Sequence, residues 1–213
     1  MSFVPNLTVM LGFTAACVLL ALTPGPDMTL FLSRTISGGR WLGLAALLGA
    51  SAGLVVQSLL AALGISALLA ASYTAFTVLK VVGVIYLLYL AYQAIRYGSA
   101  LALSEAKGAK VNYFATFLTG VGINLTNPKV LLFFLTFLPQ FVEANDPQAS
   151  GKFLFLGLYF LVLGTALNLV IWVLAERFIG ALRSNPKALR YFDYGFAGLM
   201  SAFALKLITA QGR

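Results

Sequence analysis

Six apolar runs follow one another along the chain, separated by shorter stretches that carry most of the charged residues. They cover approximately residues 7–32, 41–63, 74–97, 113–142, 153–175 and 191–209. A helix crosses a bilayer with roughly 20 apolar residues. The runs are continuous and do not alternate with period two, which favours helices over a barrel. The pattern predicts an all-α integral membrane protein, with six transmembrane helices in a single domain over residues 1–213.

Composition supports the bilayer as the solvent. Hydrophobic residues make up 61% of the chain and charged residues only 9%, against roughly 25% charged residues in soluble domains. The net charge is +8, but the basic residues lie mostly in short loops, which indicates topology rather than nucleic-acid binding. The chain has no histidine, and its single cysteine is Cys17. We therefore expect no disulfide within one chain, no metal and no cofactor.

The basic residues also predict an orientation. With six spans, loops one, three and five lie on one side of the membrane. These loops contain Arg34, Arg40, Arg96, Lys107, Lys110, Arg177, Arg183, Lys187 and Arg190. The loops of the opposite side hold only Lys152. The positive-inside rule then predicts that both termini lie on the non-cytoplasmic side.

Runs one and four are each interrupted by a proline-containing motif. The first motif is Thr23, Pro24, Gly25, Pro26 and Asp27, and the second is Asn127, Pro128 and Lys129. The motifs lie three helices apart, so the two halves, about 7–97 and 112–209, run in opposite directions. This predicts two inverted three-helix repeats with helices 1 and 4 broken, a pattern that points to a transporter's binding site. Simple proline kinks are the alternative interpretation.

The breaks have a specific predicted chemistry. Proline ends a helix because it lacks an amide hydrogen. Thr23 or Gly25 is then the cap of the restarted helix, and Asn127 is the cap in the second break. Exposed amides and carbonyls at such breaks suit a zwitterionic substrate. Lys129 would strengthen the anion site, and Asp27 would bind an ammonium group or a coupling proton.

Two further charges occupy matching positions in the halves. Lys80 opens the third helix and Asp193 opens the sixth. We predict that these two residues converge with Asp27 and Lys129 near the midplane as ion pairs, since a charge at membrane depth costs roughly 2.5–3.5 kcal/mol on insertion scales. The alternative is that Lys80 and Asp193 snorkel to the interface.

Small and polar residues inside the runs have a simpler interpretation. Gly49 and Gly53 form a small-xxx-small pair that favours close helix packing, within a subunit or between the subunits of a homodimer. Gln57, Thr165 and Asn168 are expected to form interhelical hydrogen bonds.

Taken together, these motifs resemble the LysE/RhtB family of amino-acid exporters over about residues 7–209. The resemblance is carried by Thr-Pro-Gly-Pro-Asp at 23–27, Gly-Gly-Arg at 38–40, Leu79-Lys80 with Gly83 and residues 86–90, Asn127-Pro128-Lys129, and Phe133-Phe134 leading to Pro139-Gln140-Phe141. Asp193 is not supported by it. Asp27 stands where relatives often have Asn, and Gln57 where many have His.

The resemblance implies a secondary active exporter of amino acids or amino-acid derivatives in the bacterial inner membrane. It also implies proton antiport with alternating access. It marks as functional Pro24, Gly25, Pro26, Asp27, Lys80, Asn127, Pro128 and Lys129. An exporter of cations or other small metabolites is the alternative. An enzyme is not expected, because no histidine-based triad and no zinc ligand set can be assembled.

Overall fold

The structure is a computed structural model, and it describes residues 5–65, 112–142, 146–175, 177 and 186–209, together with some of the residues between 78 and 96. Almost all of these residues are helical, and no β-strand occurs among them. The prediction of an all-α protein is therefore confirmed for the part of the chain that is described.

The first apolar run folds as two helices, α1 (Leu7–Leu22) and α2 (Pro26–Gly38), which meet at an angle of 45°. α1 begins at Asn6, whose side chain accepts a hydrogen bond from the backbone nitrogen of Val9 at 2.9 Å. Pro24 and Pro26 have no amide hydrogen, so the hydrogen bonding of α1 cannot continue through the motif. The predicted break lies where the prolines are.

The second run forms α3 (Arg40–Leu60), which continues into a π-helical turn at Ala61–Ile65. α3 begins after Gly39, whose φ of 88° is a conformation that other residues rarely adopt. This glycine lets the chain reverse between α2 and α3 within one residue.

The fourth run repeats the behaviour of the first. It forms α4 (Tyr113–Thr126) and α5 (Pro128–Leu132), and α5 continues through a π-helical turn at Phe133–Phe137 and a 3₁₀ turn at Leu138–Phe141. The two parts are bent by 46°, almost the same angle as in the first run. The second predicted break is therefore also a helix break.

The last described helices are α6 (Ala149–Val173) and α7 (Pro186–Thr209). Near the start of α7, the Arg190 guanidinium donates a hydrogen bond to the backbone oxygen of Ile95. Arg40, at the start of α3, lies over the ring of Trp172 in α6 at 5.1 Å, and the Trp172 indole donates to the Arg40 carbonyl at 2.9 Å. Basic residues of the predicted loops one and five thus pack against neighbouring helix ends.

The described residues contain two to four membrane spans. Arg40–Gly64 and Ala149–Val173 are long and apolar enough to cross a bilayer, and there are four such spans among the described residues if each bent pair is one. Outward-facing side chains such as Leu60 and Val162, which are 62% and 69% exposed, suit contact with lipid. A multi-pass membrane protein is supported. Only about half of the residues of the predicted third span are described, and the six-helix inverted repeat stays a prediction.

Glycines bring α3 and α4 into close contact. A Cβ at Gly49 would lie 2.0 Å from the carbonyl oxygen of Phe117, and a Cβ at Gly120 would lie 2.3 Å from the carbonyl oxygen of Ala46. The Gly49–Gly53 pair therefore packs within the chain, as small residues do between membrane helices. It no longer supports a homodimer.

Aromatic side chains form the main core around the second break. The Phe133 ring lies 4.9 Å from the Phe137 ring and 4.8 Å from the Phe160 ring. Phe13 of α1 packs against the same rings. This cluster joins the first broken span to the second one and to α6.

Candidate functional site

The two breaks meet around Asp27. Its Oδ2 atom accepts hydrogen bonds from the side-chain amides of Asn124, at 2.9 Å, and Asn127, at 3.0 Å. Asn124 and Asn127 are each 1% exposed. An acid from the first broken span is therefore held by two amides from the second, about 100 residues away in sequence.

Local sequence explains why Asp27 is available there. Gly25 is the cap of α2 and Pro26 is its first residue, where a missing amide hydrogen costs nothing. Asp27 then lies in the first turn, where a carboxylate is favoured by the helix dipole. Thr23 and Gly25 are the two caps that the sequence allows, and in the structure the cap is Gly25. Thr23 instead donates its hydroxyl to the Leu19 carbonyl at 2.6 Å.

Asn127 has two roles at the second break. Its Oδ1 atom accepts a hydrogen bond from the backbone nitrogen of Lys129 at 3.0 Å, which is the predicted cap, and Pro128 is the first residue of α5. Its Nδ2 atom donates to Asp27. Because both ends of the amide are engaged, its orientation is determined by the cap and by the carboxylate together.

Lys129 does not contact Asp27 directly. Its ammonium group donates to the carbonyl oxygens of Leu20, at 3.1 Å, and Thr23, at 2.8 Å. These carbonyls are at the end of α1, where proline leaves them without helical partners. Lys129 is predicted to strengthen an anion site. The observed contact is different, because its ammonium group donates hydrogen bonds to carbonyl oxygens at the end of α1.

Position 25 is a glycine where the Lys129 side chain passes close to the backbone. A Cβ at Gly25 would lie 3.0 Å from the Lys129 Nζ atom and 3.3 Å from its Cε atom. The backbone of Gly25 is extended, with φ of −159°, so the conformation itself does not require glycine. The close approach of the lysine is the reason for a residue without a side chain.

Of the four charges predicted to converge as ion pairs, Asp27 and Lys129 lie at the two breaks. Asp146 and Lys152, in the loop before α6, form a direct ion pair. Asp27 and Lys129 pair with amides and carbonyls instead. Asp193 is 3% exposed on α7, and Lys80 lies outside the described residues. Whether these two residues belong to the site stays a prediction.

Gln57 and Asn124 complete the arrangement, and sequence reasoning assigned neither of them to the site. The Gln57 side-chain amide donates to the Asn124 carbonyl at 2.9 Å. A Cβ at Gly53 would lie only 2.7 Å from the Asn124 Oδ1 atom, so this glycine makes room for Asn124. The sequence contains a feature that indicates Asn124 as a site residue, because it lies three residues before Asn127 and so on the same face of the helix.

The site lacks the features of a metal centre. No group of three or more histidine, cysteine or acidic side chains that could hold a metal ion occurs in the described part of the chain. What the site offers is one carboxylate, three amides and one ammonium at two helix breaks. This is an arrangement for binding a small polar molecule or a proton, rather than for covalent chemistry.

Comparison with known proteins agrees with the geometry. The model of the LysE type translocator family matches residues 18–211. Homoserine/homoserine lactone efflux proteins of Salmonella typhimurium and Salmonella typhi are each 29% identical to this chain over 205 residues, which are 94% of this chain and 96% of each relative. No solved structure matches the chain. Since the family match includes both breaks and most of the chain, this chain is a membrane transporter that belongs to the LysE type translocator family.

Proposed function

We propose that the protein exports amino acids or amino-acid derivatives across the bacterial inner membrane by exchange with protons. The observation that carries this proposal is the Asp27 carboxylate, which is held by two buried amides at the meeting point of two broken spans. An acid inside a membrane protein is typical of proton relays and substrate paths. Both relatives named above are efflux proteins, which supports the direction of transport.

The names of the relatives also suggest a substrate class. Homoserine and its lactone share an amino group, whereas the lactone has no free carboxylate. A transporter of both compounds must therefore recognise the amino end in each of them. For this chain we propose a small substrate with a primary amino group, and L-homoserine is the first compound to test.

In the proposed cycle, the two halves rock around the breaks and expose the site alternately to each side of the membrane. Asp27 binds a proton from outside and releases it inside as the substrate leaves. Residues 23–26 and Asn127–Pro128 supply the bends about which the helices move. Lys129 holds the end of α1 in one state, and Lys80 and Asp193 are proposed as further members of the coupling site.

The test is transport by the purified protein in lipid vesicles. Vesicles are preloaded with radiolabelled amino acids, L-homoserine among them, and a proton gradient is imposed. We expect efflux of a subset of amino acids that depends on the gradient. Asp27→Asn should lose this dependence, because the asparagine cannot bind and release a proton. Asp146→Asn, which changes an acid outside the site, is the matched control.

Two outcomes would contradict the proposal. No efflux of any amino acid from folded protein would redirect attention to cations or other metabolites. An unchanged pH dependence in Asp27→Asn would remove Asp27 from the coupling step.

We also propose that both termini lie on the non-cytoplasmic side. Loops one, three and five carry most of the basic residues, which supports this orientation. A reporter that is active only in the cytoplasm, fused to the C-terminus, should be silent, and the same reporter in the loop after residue 97 should be active. The reverse pattern would invert the orientation.

A further inference from the structure

Each side-chain amide nitrogen around Asp27 donates at least one hydrogen bond. We name Asp27, Gln57, Asn124 and Asn127 the Asp27 cluster. Asn124 and Asn127 each donate a side-chain amide hydrogen to Asp27 Oδ2, and Gln57 donates to the carbonyl oxygen of Asn124. A longer contact of 3.4 Å joins the Gln57 Nε2 atom to the Asn124 Oδ1 atom. The side-chain amides therefore point their nitrogens toward oxygens within the cluster.

Two acceptor oxygens of the cluster remain without a hydrogen-bond partner. They are Asp27 Oδ1 and Gln57 Oε1, both buried, and Gln57 as a residue is only 3% exposed. Turning the Gln57 amide over does not remove the problem, because its oxygen would then face the Asn124 carbonyl. A buried acceptor that lacks a donor is destabilising. The cluster therefore has spare hydrogen-bonding capacity, and this capacity is for donors.

A site whose unpartnered atoms are acceptors selects a particular ligand chemistry. A carboxylate or a phosphate brings further acceptors and would be repelled by Asp27. A primary ammonium group brings three donors and a positive charge, and hydrogen bonds between such a group and a carboxylate are among the stronger ones. The lysine of the site does not fill this role, because the Lys129 ammonium already donates to the Leu20 and Thr23 carbonyls.

We propose that the Asp27 cluster is the binding site for the primary ammonium group of the substrate, with Asp27 Oδ1 and Gln57 Oε1 as its acceptors. The inference rests on the proposed function for the identity of the substrate, but not for the chemistry of the site. Gln57 becomes a substrate-binding residue. Asn124 becomes a positioning residue, since it contacts both Asp27 and Gln57 and is held against Gly53.

The test does not require transport. Thermal unfolding of the detergent-solubilised protein is followed with methylammonium chloride, tetramethylammonium chloride or sodium chloride at equal ionic strength. The two organic cations have the same charge, but only methylammonium has hydrogen-bond donors. We expect methylammonium alone to raise the unfolding temperature in a saturable way. Gln57→Leu, which has a similar volume and no acceptor, should raise the half-saturating concentration at least about tenfold, the value of one hydrogen bond to a charged group.

A second variant separates binding from structure. Gln57→Glu keeps an acceptor oxygen, but an ionised glutamate has no hydrogen to donate to Asn124. A purely structural glutamine would make both substitutions equally harmful. The proposal that Gln57 is an acceptor for ammonium predicts that Gln57→Glu retains methylammonium binding, whereas Gln57→Leu loses it.

The matched control is Asn168→Leu. The Asn168 Oδ1 atom of α6 is also buried without a partner among the described residues, but it lies elsewhere. Ser51 of α3 bonds to Thr165 of α6, and Ser58 faces Gly157, so the helices are antiparallel. Gln57 lies six residues beyond Ser51 on α3, and Asn168 lies three residues beyond Thr165 on α6, in the opposite direction. At about 1.5 Å per residue, the two side chains are roughly 13 Å apart along the helix axes. Asn168→Leu should leave methylammonium binding unchanged.

The outcomes distinguish this inference from the proposed function. Methylammonium-specific stabilisation that Gln57→Leu abolishes supports the ammonium site, even if no amino acid is exported. Amino-acid efflux whose KM is unaffected by Gln57→Leu, without methylammonium-specific stabilisation, overturns the ammonium site and leaves the proposed function intact. Equal stabilisation by sodium also overturns it, in favour of an inorganic cation.

Discussion

The close packing of α3 against α4 makes a sharp prediction about Gly120. A Cβ at this residue would lie 2.3 Å from the Ala46 carbonyl oxygen and 3.0 Å from the Ala50 nitrogen. These are backbone atoms, which cannot turn aside as a side chain can. Gly122, on the same helix, has open space, with nothing within 4 Å of its Cβ position. Gly120→Ala and Gly122→Ala are therefore the same chemical change in two different environments.

The magnitude follows from the distances. To restore an ordinary contact of at least 3.4 Å, α4 must move from α3 by about 1 Å in Gly120→Ala. Such a shift stretches the 2.9 Å bond between Gln57 and the Asn124 carbonyl beyond hydrogen-bond distance. Overpacking costs about 1–3 kcal/mol, and alanine returns up to about 1 kcal/mol of helix propensity. We expect a net loss of roughly 1–2 kcal/mol for Gly120→Ala, and no loss for Gly122→Ala.

The assay is reversible unfolding of each variant in mixed micelles by titration with a denaturing detergent, with efflux from vesicles measured in parallel. Gly120→Ala should unfold earlier and transport more slowly, because the same shift disturbs the Asp27 cluster. Gly122→Ala should be at least as stable as the unsubstituted protein and should transport at the same rate. Equal stability of the two variants would refute the reasoning, since the close approach of α3 and α4 would then not be a feature of the folded protein.

Two remaining predictions concern Lys129 and Asp146. In Gly25→Ala, the new Cβ would lie 3.0 Å from the Lys129 Nζ atom, so the flexible lysine should move away from the α1 carbonyls. We expect efflux to fall with little change in unfolding temperature. Transport at the original rate would show that the contact between Lys129 and these carbonyls is dispensable. The hydrogen bond from Lys152, together with the Gln148 backbone nitrogen, holds the pKa of Asp146 below its ordinary value. This stabilisation is fully present above the ordinary aspartate pKa of about 3.9 and is lost as pH falls through the lowered folded-state value. The difference in unfolding temperature from Lys152→Met should therefore shrink between about pH 6 and pH 3, and a constant difference would contradict the assignment.

Much of the fold followed from local sequence. Continuous apolar runs predict membrane helices because an unpaired backbone amide is too costly in lipid for other structures. The two breaks could be located because Pro24, Pro26 and Pro128 lack the amide that a continuing helix needs. Asn127 was recognisable as a cap for the same local reason. These features depend on residues within one helical turn of each other, so the sequence alone determines them.

The partners of the charged residues were decided by the tertiary structure. Asp27 contacts amides that lie 97 and 100 residues away, and Lys129 reaches carbonyls 106 and 109 residues away. Which of these groups meet depends on how far each helix is rotated and how closely α3 and α4 approach. That approach is determined by glycines meeting backbone atoms of another helix, a relation that no pattern along one segment contains. The sequence determined where the helices break, and only packing decided what the broken ends bind.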